Sequence, residues 1–196
     1  MNHAESTVIF PVGNAELRVP RGIVISKLLE SLGSSPAGVP KIGEPWPGQG
    51  GINAGLMRGE NGKPDYWLIL PTDKAADLGE LAWGSAGENE PGAQSEYDGL
   101  ANTRALVESQ HSHPAAEACA GLTVDGHSDL YLPARRENAL LYTNLPELFE
   151  KCWHWSSTQY SAYYAWVQDF YDGFQGNRRK DDECRVRAVR MIPISD

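Results

Sequence analysis

A chain of 196 residues, 41% hydrophobic and 22% charged, carries enough apolar side chain to core one domain and is too mixed for a disordered one. Its net charge of −9 and pI near 5.0 exclude general binding to nucleic acid or to an anionic bilayer, both of which need a basic face. No apolar run approaches the roughly 20 residues of a membrane span, so no membrane insertion is expected. The opening MNHAESTVIFPVGNAELRV lacks the basic and apolar regions of a secretory leader.

Residues 1–45 read as an N-terminal arm or small subdomain, and 46–196 as the main domain. The arm offers a short strand at Val8–Phe10. A helix is predicted from Ile23 to Leu32, where Ile23, Ile25, Leu28, Leu29 and Leu32 recur at helical spacing. GSSPAGVPKIGEPWPGQGG (33–51) is dense in Gly and Pro and predicts a linker or an elaborate loop. YWLIL (66–70) predicts a buried strand stopped by Pro71. Thr72 or Asp73 then caps a helix expected through KAADLGELAW. GSAGENEPGAQSEYDG (84–99) predicts a polar loop. Helices are expected over DGLANTRALVESQ, over PAAEACAGL after Pro114, and around Ala139, Leu140, Leu141 and Tyr142. WHWSST, AWVQDF and RVRAVRMI predict the closing strands. Helices before strands indicate an α+β class.

One stretch, YYAWVQDFYDGFQGNRRKDDEC (163–184), resists that simple pattern. Strand alternation puts Trp166, Gln168 and Phe170 on one face, and Ala165, Val167, Asp169 and Tyr171 on the other. The first set suits a core. The second mixes valine, aspartate and tyrosine, and is expected to be exposed. Beyond Tyr171 neither strand nor helix periodicity continues, which predicts a solvated loop, and Arg178, Arg179 and Lys180 are neutralised by Asp181, Asp182 and Glu183. Exposed tyrosines among Asn, Asp, Arg and Gly compose an adaptable contact surface: rings give area at little entropic cost, and short polar groups adjust hydrogen bonding. The competing reading is a surface loop whose rings fold back over the sheet.

The remaining constellations point to no chemistry. His111 and His113 have no third ligand beside them, and Ser156, Ser157 and Thr158 have no adjacent base. The glycine-rich runs lack phosphate-binding patterns, and Cys119, Cys152 and Cys184 lack zinc spacing. No enzyme, catalytic residue, metal or cofactor is expected.

From about Gly50 onward, DGLANTRAL (98–106), HPAAEAC (113–119), GHSDLYLPARRENALLYTNL (126–145), WSSTQYSAYYAWVQDFYDG (155–173) and RVRAVR (185–190) follow in an order that resembles one family. It is that of the C-type-lectin-like variable proteins of diversity-generating retroelements, related in fold to the phage major tropism determinant. HSDL (127–130) and LPARREN (132–138) depart from its usual pattern. The resemblance implies a C-type-lectin-like fold with short antiparallel strands, flanking helices and a C-terminal face diversified by adenine mutagenesis. The ligand-binding positions it implies are Tyr163, Tyr164, Val167, Asp169, Tyr171, Asp172, Phe174, Gly176, Arg178, Arg179, Asp181, Asp182 and Cys184. Each holds a residue type reachable from an asparagine codon AAY by changes at adenine. An unpaired cysteine in an exposed loop, as Cys184 is expected to be, suits a randomised position. The resemblance further implies a macromolecular target, a protein rather than a glycan, with display on a virion or cell surface. Trimeric relatives imply a homo-oligomer. The alternatives are a constitutive carbohydrate-binding or adhesion module, and a structural or assembly protein of a virion.

Overall fold

The structure is a computed structural model that describes residues 7–12, 15–20 and 38–194. The chain divides into two compact units, Met1–Lys41 and Ile42–Asp196. In the first, strands β1 (Thr7–Val12) and β2 (Ala15–Pro20) pair antiparallel, with Thr7 facing Pro20 and Val12 facing Ala15. The helix expected from Ile23 to Leu32 lies outside the described residues.

The second unit mixes α and β. Strand β3 (Pro45–Trp46) leads into β4 (Gly51–Met57), which pairs antiparallel with β5 (Tyr66–Pro71). Between them the Glu60–Lys63 turn is closed by a 3.0 Å bond, with Asn61 at φ 54° and Gly62 at φ 79°. Two positive φ values in succession are the type I′ geometry that an Asn-Gly pair favours. β5 is the buried strand expected from YWLIL. The segment after it departs from expectation. Asp73 does cap, accepting from the Ala75 N–H, but only a 3₁₀ turn at Lys74–Ala76 follows, and Asp77–Ala82 extends as β6. Gly79 sits at φ +74°, the left-handed region, which breaks a helix. Pairing with a distant strand, and an Asp77–Arg185 bidentate ion pair of 3.0 and 2.8 Å, decide the extended form.

Three helices follow. α1 (Gly99–Val107) starts at Asp98, whose carboxylate accepts from the Ala101 N–H; α2 (Pro114–Ala120) opens on the proline that suits a first turn. In α3 (Arg135–Asn144) the Glu137 carboxylate reaches back to the Ala134 N–H. The closing segment forms β7 (Trp153–Gln159), β8 (Tyr164–Asp169), β9 (Gln175–Arg179), β10 (Glu183–Arg187) and β11 (Arg190–Pro193). One five-stranded sheet runs β6-β10-β7-β8-β9, and a four-stranded sheet runs β11-β5-β4-β3. The β10–β7 pair is parallel; the other pairs are antiparallel. RVRAVRMI is therefore two strands in two sheets, with the chain crossing between them at Ala188–Val189.

Two cores result. Trp83, Leu106, Cys119, Leu132, Trp155, Val167 and Val186 pack with the five-stranded sheet under α1 and α2. Ile52, Leu68, Tyr131, Leu141, Phe149, Phe170 and Val189 pack between the four-stranded sheet and α3. Trp83 and Trp155 lock the first core reciprocally, the Trp83 indole donating to the Ser156 carbonyl at 2.9 Å and the Trp155 indole to the Leu81 carbonyl at 2.8 Å. Among the described residues no helix is long and apolar enough to cross a membrane.

Candidate ligand-binding face

The face lies on the antiparallel ribbon of β8 and β9, whose register sets Tyr164 opposite Arg179 and Val167 opposite Gly176. Along its rims stand Tyr163 at 54% exposure, Tyr171 at 73% and Phe174 at 61%; Tyr164, Asp172, Arg178, Arg179, Asp181 and Asp182 are also exposed. Asp169 and Gly176 are half-buried. Asp169 accepts from the Tyr171 N–H at 2.8 Å and Asp172 from the Phe174 N–H at 2.9 Å, so these aspartates fold the tip that presents the two rings. Arg179 is held by Asp181 through two bonds of 2.9 and 2.8 Å. That pair lies in solvent, where such interactions contribute little to stability.

Two of the expected contact residues are not on the face. Val167 is 1% exposed and Cys184 5%, and both belong to the core around Trp155. Their parity explains this: Val167 faces Trp155 across β7–β8, and Cys184 faces Leu81 across β10–β6, on the side that α1 and α2 cover. The face of β8 that seemed to lack core logic is a core face for Ala165 and Val167, and turns half-open only at Asp169. Burial also pushes the Cys184 thiol up to about 12, so it is a packed thiol and not a reactive one. Phe170 is buried as expected, while Trp166 is only half-buried and lies under the Arg135 guanidinium, 3.5 Å from ring centre to Cζ.

Lys180 is a third departure. Flanked by exposed Arg179 and Asp181, it is itself fully buried. Its ammonium donates to the Glu88 carbonyl at 2.6 Å and the Gln159 side-chain oxygen at 2.7 Å, and lies 4.5 Å from the Trp83 ring. Burial lowers its pKa to about 8, against the opposing pull of Glu90 and Glu88. This lysine pins the β9–β10 turn to the 84–99 loop, and nothing in the local charge run distinguishes it from its neighbours.

The residues weighed for chemistry make hydrogen bonds within the fold. His111 Nδ1 lies 2.9 Å and His113 Nε2 3.1 Å from the Glu90 carboxylate, which also accepts from Ser109. Burial raises the Glu90 carboxyl, but hydrogen bonds from His111, Ser109 and His113 outweigh it and leave the group below its ordinary range. No group of three or more His, Cys, Asp or Glu side chains is placed to hold a metal ion among the described residues. Ser157 and Thr158 meet Asn102, and Thr158 also bonds the Ser95 carbonyl. Ser156 donates to the Trp166 carbonyl. Asp129 grips Arg190 at 2.9 and 3.0 Å.

Sequence reasoning also missed Trp153 as part of the face. This half-buried ring lies 5.0 Å from the Arg178 Cζ and edge-on to Phe174 at 6.2 Å. Together with Tyr164, Gly176, Asn177, Arg179 and Asp182 they line an open depression of about 540 Å³. No local signal separates Trp153 from Trp155, which shares its side of β7 and lies in the core. No family model matches the chain, and no curated protein compared with it matches either.

Proposed function

We propose that this protein binds a macromolecular ligand through the β8–β9 ribbon, as a member of the C-type-lectin-like variable proteins of diversity-generating retroelements. One observation carries the binding reading. Five of the nine large hydrophobic side chains exposed among the described residues, namely Tyr160, Tyr163, Tyr164, Tyr171 and Phe174, fall within 160–174. The same segment buries Ala165, Val167, Gln168 and Phe170. Clustered exposed aromatics beside a rigid framework are the composition of interface anchors. The buried framework residues lie outside the contact set, as a diversified surface requires. The α+β class, the order of the elements and the motifs from DGLANTRAL to RVRAVR support the lectin-like fold. With Val167 and Cys184 assigned to the core, the proposed contact set is Tyr163, Tyr164, Asp169, Tyr171, Asp172, Phe174, Gly176, Arg178, Arg179, Asp181 and Asp182. The ligand is a protein on another cell or particle, the location a virion or cell surface, and association into a homo-oligomer multiplies weak contacts.

Two experiments test this reading. Sequencing the adjacent DNA should find a reverse transcriptase and a near-copy of the coding segment with asparagine codons at the exposed positions. A neighbourhood without them overturns diversification. Binding is tested by pull-down from target-cell surfaces together with a glycan array. Protein capture lost on combined Tyr163→Ala, Tyr171→Ala and Phe174→Ala substitution supports the proposal. Array binding with no protein capture transfers the face to carbohydrate.

A further inference from the structure

The outer edge of β9 is unpaired among the described residues: the strand ends its sheet, bonded to β8 alone. Its hydrogen-bond phase follows from two bonds that bracket the ribbon. The Lys180 N–H donates to the Tyr163 carbonyl, and the Asp169 N–H to the Phe174 carbonyl. With Tyr164 facing Arg179 and Gln168 facing Gln175, those two pairs are of the non-hydrogen-bonded kind, and so is Trp166–Asn177 between them. Gly176 and Arg178 therefore spend their amides on β8, while Gln175, Asn177 and Arg179 turn theirs outward. The Arg179 carbonyl is taken by the Asp182 N–H. Three N–H donors and the carbonyls of Gln175 and Asn177 remain on an exposed edge. The opposite edge of the sheet, β6, is less suited, because Gly79 at φ +74° interrupts its extended backbone.

Beside this edge lies the depression floored by Trp153 and Phe174. Gly176 makes room for the Phe174 ring itself: a Cβ there would stand 3.1 Å from that ring and 3.8 Å from that of Trp153. Arg178, on the same side two residues on, lies over Trp153 and has no carboxylate partner among the described residues. The geometry points to β9 as the docking edge for an extended peptide segment that adds a strand antiparallel to it, with the pattern acidic–any–aromatic. This rests on the binding reading above and specifies how that face takes its partner. The acidic side chain pairs with Arg178, the middle residue exchanges both main-chain bonds with Asn177, and the ring, opposite Gly176, packs against the exposed Phe174 ring at the depression. Main-chain bonds supply affinity in such strand addition and alternate side chains supply specificity. Self-pairing of two β9 strands is disfavoured, since it gathers two copies of Arg178 and Arg179 on one short ladder.

The test uses the full chain and a capped peptide with a Glu-Thr-Phe core flanked by threonines, beside a control with Lys-Thr-Phe. The amides of Gln175, Asn177 and Arg179 should exchange fast in the free protein and slow at least tenfold with the Glu peptide. Those of Gly176 and Arg178 should be protected throughout. Asn177→Pro removes an outward donor and no bond to β8, so it should weaken peptide binding tenfold or more; thermal unfolding checks that it folds. Loss of binding in both Asn177→Pro and Phe174→Ala supports strand addition. Loss in Phe174→Ala alone leaves the face as a binding surface and overturns the edge. Binding unaffected by either variant, or no binding at millimolar peptide, also overturns it. Dimerisation of the chain abolished by Asn177→Pro assigns the edge to a second copy and overturns the peptide as occupant. If the edge fails, partner capture sensitive to the Tyr163, Tyr171 and Phe174 substitutions still sustains the broader binding reading.

Discussion

Strands β7 and β9 belong to one sheet, separated only by β8, and they divide its work. In β7 every residue from His154 to Gln159 is buried, and its polar groups are used up inside: Trp155 on Leu81, Ser156 on Trp166, and Thr158 on Ser95. In β9 no residue is fully buried, one edge is open, and Arg178 and Arg179 reach solvent. Backbone pairing alone is enough to hold a strand in place once a neighbour is fixed. Identity matters throughout β7 because both faces are packed; β9 is constrained only in part, by Gln175 on Arg135 and Gly176 beside Phe174. β8 carries both regimes, with Ala165 and Val167 in the core and Tyr164 outside.

Substitutions should separate the two regimes by size of effect. Trp155→Ala should cost about 3–5 kcal/mol by urea unfolding, through an unfilled cavity and an orphaned Leu81 carbonyl. Val167→Asp should cost about 3 kcal/mol or more, since it buries an unpaired carboxylate. Tolerance of that change would restore Val167 to the variable set and undo the division within β8.

Glu137→Gln should cost about 1–3 kcal/mol. Glu137 is fully buried and accepts from the Tyr66 hydroxyl, the Tyr131 hydroxyl and the Ala134 N–H at 2.6, 2.7 and 2.6 Å, and an amide offers only one such oxygen. Burial raises this carboxyl from 4.5 to about 7, against those three bonds. Its contribution is thus complete below pH 4.5 and lost as pH rises through 7. Burial beside Phe149 and Phe170 acts oppositely on His154, lowering it from 6.5 to about 4. That contribution is present above pH 6.5 and lost as pH falls through 4. The two oppose each other in the wild type. In Glu137→Gln the melting temperature should therefore fall more steeply on acidification from pH 6.5 to 4. An unchanged slope would remove Glu137 from the balance. At the small end, Tyr171→Ala should change stability by no more than about 0.5 kcal/mol, read by the same urea titration. A loss of several kcal/mol would mean that the ring supports the fold.

The helices were readable because their signals are local: Asp98 as a cap, Pro114 at a first turn, apolar residues three and four apart. The exposed tip at Tyr171–Phe174 was readable too, from the loss of strand and helix periodicity beyond Tyr171. Segments governed by distant partners were not. KAADLGELAW has helical composition and becomes β6 because β10 pairs with it; RVRAVRMI reads as one strand and serves two sheets.

Sequence by itself determined the α+β class, the placing of the three helices, and the segment that carries exposed aromatics, since each rests on periodicity and turn chemistry within a dozen residues. Only the tertiary structure decided which members of that segment are free. Val167, Lys180 and Cys184 look like their neighbours in the chain, yet α1, α2 and the 84–99 loop cover them. Burial is a property of what lies across the sheet, and residues as distant in the chain as Leu81 is from Cys184 decide it.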